Sequence, residues 1–180
     1  MDTKVVLDSK SLARTISRIT NQIIEDNSGV NNLVILGLRT RGINLARRIM
    51  DKITDIEKTA PPFGTLDITL YRDDFRRKAE WPKVRKTDIK FPIDQKNVIL
   101  VDDVIFTGRT TRAAIDAVMD YGRPSSIKLA VLVDRGGREL PIQPNYVGIE
   151  IQTDNSEIVR VNFKELDDID QVVVSRREDE

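Results

Sequence analysis

The sequence contains neither cysteine nor histidine among its 180 residues. Because cysteine is absent, the chain forms no disulfide framework and offers no thiolate for catalysis. Because histidine is absent, Ser-His and Cys-His catalytic groups are excluded, and so are zinc sites built on imidazole. These absences remove several classes of hydrolase and metalloprotein before any motif is considered.

Long apolar runs and net charge are lacking as well. No apolar run approaches the ~18 residues of a membrane span, and residues 1–4 lack the apolar core of a signal peptide. We therefore expect a cytoplasmic protein. The 29 basic and 29 acidic residues cancel, so RNA binding would require a local basic patch. The length suits a single domain over residues 1–180.

The most informative stretch is residues 98–110, which read VILVDDVIFTGRT. Four aliphatic residues lead into Asp102 and Asp103, and this pattern predicts a strand buried on both faces, as in a parallel sheet. We expect the strand to reach the surface at its carboxyl end, where open α/β folds bind ligands. The alternative is that the two acids are solvated loop residues or cap the next helix.

The residues after this acid pair are typical of a phosphate site. Thr107, Gly108, Arg109 and Thr110 precede a helical pattern predicted over residues 111–121. Hydroxyls, a glycine and unpaired amides at a helix start form a phosphate cradle. Two carboxylates beside a phosphate would repel it unless they bind sugar hydroxyls or a divalent cation. The stretch therefore predicts a phosphorylated sugar as ligand, together with magnesium.

A second loop repeats this arrangement. A short strand predicted at residues 33–36 is followed by the segment GLRTRG at residues 37–42 and then by a second helix. Because arginine can fork onto phosphate oxygens, Arg39 and Arg41 on either side of Thr40 suit a more highly charged phosphate group. Two arginines in a turn are often only solvated, but the presence of the other loop favours the functional interpretation.

Three further segments complete the pattern. Alternating apolar residues predict a strand with one wet face over residues 65–71. The basic stretch over residues 72–90 predicts either a lid that closes on the ligand or a long surface loop without that role. A first helix, capped by Asp8 or Ser9, has apolar residues at three- and four-residue spacing. Its polar side carries Arg14, Ser17, Arg18, Asn21 and Asp26.

Together these stretches resemble the type I phosphoribosyltransferases, whose signature is the acid pair followed by Thr-Gly-Arg-Thr. The segment that contains Tyr71 and the Asp134-Arg135-Gly136 loop resemble one branch in particular. Members of that branch are pyrimidine operon attenuators that are also uracil phosphoribosyltransferases. The likeness covers nearly the whole chain. The segments that carry it are residues 40–42, 66–74, 98–110, 116–120 and 129–136.

The resemblance implies an α/β fold, a parallel sheet flanked by helices, with a small hood from the terminal segments over the crevice at the carboxyl ends of the strands. It also implies a reaction that joins uracil to phosphoribosyl pyrophosphate (PRPP) and yields UMP and pyrophosphate. Because the sugar passes through a state with oxocarbenium character, the protein need supply only orientation and charge stabilisation. A homodimer or larger homo-oligomer is implied as well.

Roles for individual residues follow from the same resemblance. Asp102 and Asp103 hold the ribose hydroxyls, and Mg²⁺ is held mainly by PRPP, with these two carboxylates as its candidate protein ligands. Thr40 and Arg41, with magnesium, bind pyrophosphate. The pyrophosphate side and the lid further include Arg39, Tyr71 and Arg72. The PRPP loop consists of Val104, Ile105, Phe106, Thr107, Gly108, Arg109 and Thr110. The base-side loop consists of Asp134, Arg135 and Gly136.

A face for leader RNA is the last feature that the resemblance implies. Attenuators of this branch build it from the first helix and the Asp-Arg-Gly loop, with basic and histidine side chains. The matching candidates in this sequence are Arg14, Ser17, Arg18 and Arg138. Asn21 and Gly137 stand where histidine is usual, and Asp26 and Gln143 stand where arginine is usual. Loss of two phosphate-contacting arginines would flatten the salt dependence by ~2 units of slope.

Three interpretations stay open at this point. The first is an enzyme of pyrimidine salvage whose RNA binding is weak or lost. The second is a UMP-responsive, RNA-binding regulator that keeps catalysis as a secondary property. A basic patch formed by Arg14, Arg18, Arg47 and Arg48 would favour the second interpretation. The third is a phosphoribosyltransferase for a different base.

Overall fold

The computed structural model describes residues 3–73, 87–154 and 156–176. The helices in these ranges are α1 (Ser9–Asp26), α2 (Arg41–Glu57), α3 (Arg109–Met119) and α4 (Lys164–Asp167). The strands are β1 (Thr3–Leu7), β2 (Leu33–Leu38), β3 (Phe63–Leu66), β4 (Asn97–Ile105), β5 (Ser126–Asp134), β6 (Tyr146–Glu150), β7 (Glu157–Asn162) and β8 (Gln171–Arg176). A single 3₁₀ turn is formed by Thr69–Tyr71.

The central sheet consists of five parallel strands in the order β3-β2-β4-β5-β6. Helices cover both faces of the sheet, and β2, whose side chains are all apolar, is buried at all six of its residues. Successive side chains of β2 point to opposite faces. Ile35 packs with α1 and α2 on one face, whereas Val34 and Leu36 pack with α3 on the other. The parallel sheet brings the carboxyl ends of β2, β4, β5 and β6 to one edge.

The first helix forms as its spacing predicts. Asp8 is the residue that caps it, since its Oδ1 accepts a hydrogen bond of 2.8 Å from the Ser11 amide. The apolar stripe of α1 is fully buried against β5, β6 and α2, which leaves the polar side of the helix facing water. The residues of this stripe are Leu12, Ile16, Ile19 and Ile23.

The hood is a small antiparallel sheet in the order β1-β8-β7, built from both ends of the described chain. The short helix α4 joins β7 to β8. Phe163, just before α4, is completely buried in the same core cluster as the residues of α1 and α2. The predicted architecture, a parallel sheet flanked by helices with a small hood, is therefore confirmed.

Several boundaries differ from the prediction. The strand expected over residues 65–71 ends at Leu66, because the Asp67 carboxylate accepts hydrogen bonds from the Thr69 amide at 2.9 Å and from its hydroxyl at 2.5 Å. Such side-chain bonds to nearby backbone compete with strand pairing and favour a turn. β4 continues past the acid pair to Ile105, and α3 begins at Arg109 rather than at residue 111.

The lid predicted over residues 72–90 lies largely outside the described residues. At its near end, residues 72 and 73 are described, and at its far end residues 87–90 are described. Asp88 forms an antiparallel bridge with Thr65 at the outer edge of β3. Across the ranges that the structure covers, no helix is long and apolar enough to cross a membrane.

Candidate active site

Two adjacent carboxyl groups lie near the carboxyl end of β4. Asp102 is buried, with 8% of its surface exposed, whereas Asp103 is partly exposed. Burial raises the pKa of Asp102 well above its ordinary value, and the charge of Asp103 raises it further. Burial also raises the pKa of Asp103, although the nearby charge of Arg41 opposes that rise. A neighbouring cation, or hydroxyl groups that donate hydrogen bonds, would therefore stabilise the ionised form of this carboxylate pair.

The first turn of α2 closes directly on this pair. Because β2 and β4 pair in parallel with Gly37 opposite Val101, the loop after β2 lies beside the end of β4. A Cβ atom on Gly42 would lie 2.6 Å from the carbonyl oxygen of Val101 and 3.2 Å from Oδ1 of Asp102. Real Cβ atoms essentially never lie as close as 2.6 Å to a backbone atom, so glycine is required for α2 to approach the acids this closely.

The loop before α2 presents the predicted pyrophosphate residues. Thr40 is exposed and immediately precedes the helix, and its side chain makes no capping hydrogen bond. Arg41 is the first residue of α2, and its guanidinium forms a two-bonded ion pair with Asp167 of the hood, at 2.7 and 3.0 Å. Arg39 and Thr40 line a cavity of about 470 Å³ with Arg47, Lys90 and Leu166. This side of the cleft is rich in positive charge.

The loop before α3 presents the predicted phosphate cradle. Gly108 precedes the helix with φ +89°, a conformation that favours glycine. The Thr107 hydroxyl accepts a hydrogen bond of 3.3 Å from the Arg109 amide, the first amide of α3. The first amides of α3 point from the start of a helix, where backbone donors and the helix dipole attract anions. The carbonyl of Thr107 accepts hydrogen bonds from the amides of Glu139 and Leu140, at 2.9 and 3.2 Å, which fixes the loop.

Arg109 places its side chain differently from the simple expectation of a phosphate ligand. Its NH1 lies 2.5 Å from Asp73, and its Nε lies 2.6 Å from Glu139. The Arg109 bonds hold the pKa of Asp73 below its ordinary value. Arg109 thus joins the segment after the 3₁₀ turn to the loop after β5, across the start of α3.

Tyr71 is held against α3, and Arg72 follows it in the chain. The Tyr71 carbonyl accepts a hydrogen bond of 2.9 Å from Arg112, and its hydroxyl donates to Asp120, which raises the pKa of Tyr71 to about 12. Arg72 lies close enough to Asp102 for its charge to oppose the rise in pKa that burial causes. The structure therefore brings Arg72 near the acid pair, whereas the Tyr71 hydroxyl lies at the carboxyl end of α3, away from the phosphate cradle.

The loop after β5 packs on the loop after β4. The guanidinium of Arg135 lies 4.2 Å from the centre of the Phe106 ring and donates to the carbonyls of Asp154 and Glu157, both at 3.1 Å. Gly137 contacts the Phe106 ring so closely that any Cβ atom there would clash with it.

A cavity of about 490 Å³ opens at the carboxyl ends of β5 and β6. It is lined by Asp134, Gly136, Arg138, Gln143, Glu150 and Gln152. Glu150 and Gln152 were not among the predicted site residues. Their place at the carboxyl end of β6 is the signal that would have found them, since that end reaches the same edge of the sheet as the acid pair.

The polar side of α1 borders a shallow groove of about 680 Å³. Three of the predicted RNA-face residues, Arg14, Ser17 and Arg18, line it, together with Asn21. The sequence interpretation missed Lys10 and Lys52, which line the groove as well. Lys52 comes from α2 and reaches α1 only through helix packing, whereas Lys10 lies in the first turn of α1 itself.

Arg138, the fourth candidate, is not brought to this groove. Its guanidinium pairs with Asp134 and donates to the carbonyls of Phe106 and Ile142, both at 2.9 Å. Asp26 accepts hydrogen bonds from Lys128 and from the Tyr146 hydroxyl, so this acid is engaged in local structure rather than presented alone.

A patch of Arg14, Arg18, Arg47 and Arg48 does not assemble either. Arg48 lies 2.6 Å from both Glu165 and Asp170 of the hood, and Arg47 lines the cavity beside Thr40 instead. The positive charge beside Arg14 and Arg18 comes from Lys10 and Lys52, with Glu25 as an acidic neighbour. A basic groove is therefore present, with a different composition from the expected one.

Comparison with known families bears directly on this arrangement. The family model for the phosphoribosyl transferase domain matches residues 2–165, which include the acid pair and both helix-start loops. The chain belongs to the phosphoribosyltransferase family. The family prediction is confirmed.

Relatives of similar length indicate the branch of the family to which the chain belongs. The chain is 49% identical to a protein of Acetivibrio thermocellus, over 97% of this chain and 95% of that protein. It is 53% identical to a protein of Desulfosudis oleivorans, over 94% of each chain. Both are named bifunctional protein PyrR. The chain is thus a member of the same branch that its motifs indicated.

Solved structures agree on the fold. The hypoxanthine phosphoribosyltransferase of Trypanosoma cruzi superposes with a TM-score of 0.73 at 19% identity, over 97% of both chains. A hypoxanthine-guanine phosphoribosyltransferase of Bacillus anthracis superposes with a TM-score of 0.70 at 20% identity, over 98% of this chain and 99% of that one. At these identities the likeness concerns the fold.

Proposed function

We propose that this protein transfers the phosphoribosyl group of PRPP to uracil, giving UMP and pyrophosphate, and that it also binds the leader RNA of pyrimidine operons. One observation carries the enzymatic half. The acid pair of β4 lies directly beside the first turn of α2 and is followed by the start of α3, so two anion-binding helix starts flank two carboxyls. A sugar with phosphate groups at both ends matches that arrangement.

Each part of the cleft has a distinct role in this proposal. Asp102 and Asp103 accept hydrogen bonds from the ribose hydroxyls, and their negative charge stabilises the sugar as it becomes positive. The amides around Thr107 to Thr110 hold the 5-phosphate at the start of α3. Thr40 and Arg41 hold the departing pyrophosphate. The protein then orients two reactants and supplies no nucleophile.

Magnesium is the implied partner of PRPP. Carboxylate and phosphate oxygens are the ligands that Mg²⁺ prefers, and Asp102 with Asp103 supplies oxygens of this kind at the cleft. The raised pKa values of both acids fit a site that stabilises a nearby cation. When bound, the ion would neutralise phosphate charge, with PRPP supplying most of its ligands. In the described parts of the chain, no three acidic side chains converge into a metal cluster.

The base is assigned to the loop after β5. Asp134 and Gly136 border the cavity at the ends of β5 and β6, and Arg135 fixes the loop against Phe106. Uracil follows from the branch to which the chain belongs, because these side chains do not by themselves select a base. Turnover of PRPP with uracil, guanine and hypoxanthine tests the assignment. Uracil turnover alone is the expected result, and preference for a purine would contradict it.

RNA binding is assigned to the groove on α1. Lys10, Arg14, Arg18 and Lys52 gather four positive charges around it, against one acid, Glu25. Lys10, Arg14 and Arg18 are exposed and Lys52 is half-buried. Cations at a surface bind phosphate backbones through counterion release, which makes binding salt-dependent. The family resemblance implies histidine and arginine where this chain has Asn21 and Asp26, which favours weaker binding, whereas Lys10 and Lys52 add positive charge to the groove.

A titration with the leader transcript of its own pyrimidine genes separates the two functions. It is made with and without UMP at two salt concentrations, against a scrambled RNA. Tight, UMP-enhanced and salt-sensitive binding supports the regulator. Binding no better than to the scrambled RNA leaves a salvage enzyme. Self-association as a homodimer or larger homo-oligomer stays a prediction, which the molar mass in solution would check.

A further inference from the structure

The hood contacts α2 through two parallel sets of ion pairs. Arg41 and Arg48 are seven residues apart, so they lie on the same face of α2 two turns from each other. Arg41 pairs with Asp167 at the end of α4, and Arg48 pairs with Glu165 and Asp170. Both arginines therefore point to the hood, and α2 is fastened to it at two levels.

Asp167 and Asp170 have the same kinds of hydrogen-bond partner. An oxygen of Asp167 accepts the Phe163 amide at 2.9 Å, and an oxygen of Asp170 accepts the Lys164 amide at 2.9 Å. Each carboxylate is thus held by one backbone amide of the hood while it binds one arginine of α2. The hydrogen bond from Arg41 also holds the pKa of Asp167 below its ordinary value. The carboxylate of Asp167 is a fixed partner, not a passing surface contact.

The two arginines differ in what surrounds them. Arg48 lies over the ring of buried Phe163, with its guanidinium carbon 4.9 Å from the ring centre, away from the cleft. Arg41 is the first residue of α2 and stands between Thr40 and Gly42. It lies near enough to the acid pair for its charge to lower the pKa of Asp103. Arg41 is therefore the one of the two that borders the cleft.

We infer that Asp167 is a positioning residue for the transfer reaction, which holds the Arg41 guanidinium at the pyrophosphate side of the cleft. The inference rests on the proposed function, since it assigns pyrophosphate to the loop before α2. A guanidinium has five N–H donors, and Asp167 takes two of them, so three are left for phosphate oxygens. A guanidinium that is already oriented loses less freedom on binding than a mobile one.

Asp167→Asn is the sharpest variant, because it removes the charge and keeps one acceptor oxygen. Asp170→Asn is its matched control, with the same kind of hood contact at the level of Arg48. We expect Asp167→Asn to weaken binding of PRPP with magnesium, and of pyrophosphate, by about tenfold. We expect Asp170→Asn to leave both affinities unchanged, and both variants to keep the KM for uracil. Calorimetric titration measures the affinities, and thermal melting checks that both variants fold.

The titrations distinguish a positioning role of Asp167 from a contact that only docks the hood. Equal losses of affinity in the two variants would mean that the contact only docks the hood, and unchanged or tighter binding in Asp167→Asn would also overturn the inference. In an Arg41→Ala background, Asp167→Asn should have no further effect on pyrophosphate affinity, since Asp167 acts through Arg41. Additive losses would contradict that. Failure of the wild-type protein to bind PRPP would instead refute the proposed function.

Discussion

The cleft at the end of β4 and the groove on α1 both collect charged side chains, but they hold them in opposite ways. In the cleft, Asp102 is buried under Gly42, and Arg41 is bound to the hood. In the groove, Lys10 and Arg14 project from the outer side of a helix and are exposed. The cleft holds its charged groups in place before a ligand binds. In the groove, Arg18 donates to the carbonyls of Val147 and Gly148, whereas Lys10 and Arg14 project into water.

This difference suits two kinds of ligand. A small sugar phosphate has few contacts, so each must be placed in advance for the reaction to be fast. A polyanion such as RNA binds mainly through the number of phosphates neutralised, and long exposed side chains serve that purpose. The comparison therefore predicts that single changes in the cleft remove activity, while single changes in the groove weaken binding in steps.

Replacing both acids of the pair should have the largest effect. In the protein carrying Asp102→Asn and Asp103→Asn, we expect uracil turnover to fall by about a thousandfold or more, because the charge that stabilises the positive sugar is lost. Steady-state kinetics with PRPP and uracil measures the change, and far-ultraviolet circular dichroism checks that the fold is intact. Retained activity would remove both residues from the mechanism.

Gly42→Ala tests whether the cleft depends on close packing. Its Cβ atom would press on Val101 and Asp102, so α2 must move away from β4. We expect a loss of unfolding free energy of about 1–3 kcal/mol, typical of overpacking, and a fall in kcat/KM for PRPP. Asp51→Ala, at an exposed position further along α2, is the control. Equal effects of the two changes would show that the contact with the acid pair is not special.

Removing two cations from the groove should affect RNA alone. With Arg14→Ala and Lys52→Ala together, we expect the slope of log affinity for leader RNA against log salt to fall by about 1–2 units, with uracil turnover unchanged. Filter binding over a salt series measures the slope. Arg123→Ala, an exposed arginine outside the groove, serves as the control. An unchanged slope in the double variant would move the RNA face elsewhere.

The smallest effect concerns stability. Because burial raises the pKa of Asp102 in the folded protein above its ordinary value of 3.8, the ionised carboxyl weakens the fold. The free energy of unfolding of the wild type therefore decreases by the contribution of Asp102 as pH rises from 3.8 through the folded pKa. We expect Asp102→Asn to melt at a higher temperature than the wild type at pH ~7 and at the same temperature below the ordinary value. A lower melting temperature at neutral pH would contradict the burial argument.

Local patterns were sufficient where neighbouring residues decide the outcome. The aliphatic run before Asp102 predicted β4, and the spacing of Leu12 and Ile16 predicted α1. They failed where a side chain bonded to the backbone of a nearby residue. Asp67 turned the expected strand into a 3₁₀ turn, and alternation of apolar residues carries no sign of such a bond.

The partners of the arginines could not be predicted in the same way. The sequence assigned Arg41 to pyrophosphate, Arg109 to the PRPP loop and Arg138 to the RNA face. In the structure Arg41 faces Asp167, Arg109 joins Asp73 to Glu139, and Arg138 turns inward to Asp134. Lys52 joined the groove on α1 only because α2 packs beside it.

By itself the sequence determined the order of strands, helix-start loops and helices, and with it the acid pair and the family, because these depend on residues close together in the chain. The tertiary structure alone decided which charges act on a ligand and which are neutralised. Arg41 and Asp167 are 126 residues apart. Only the folding of the hood over α2 brings them together, so no local pattern could assign either its role.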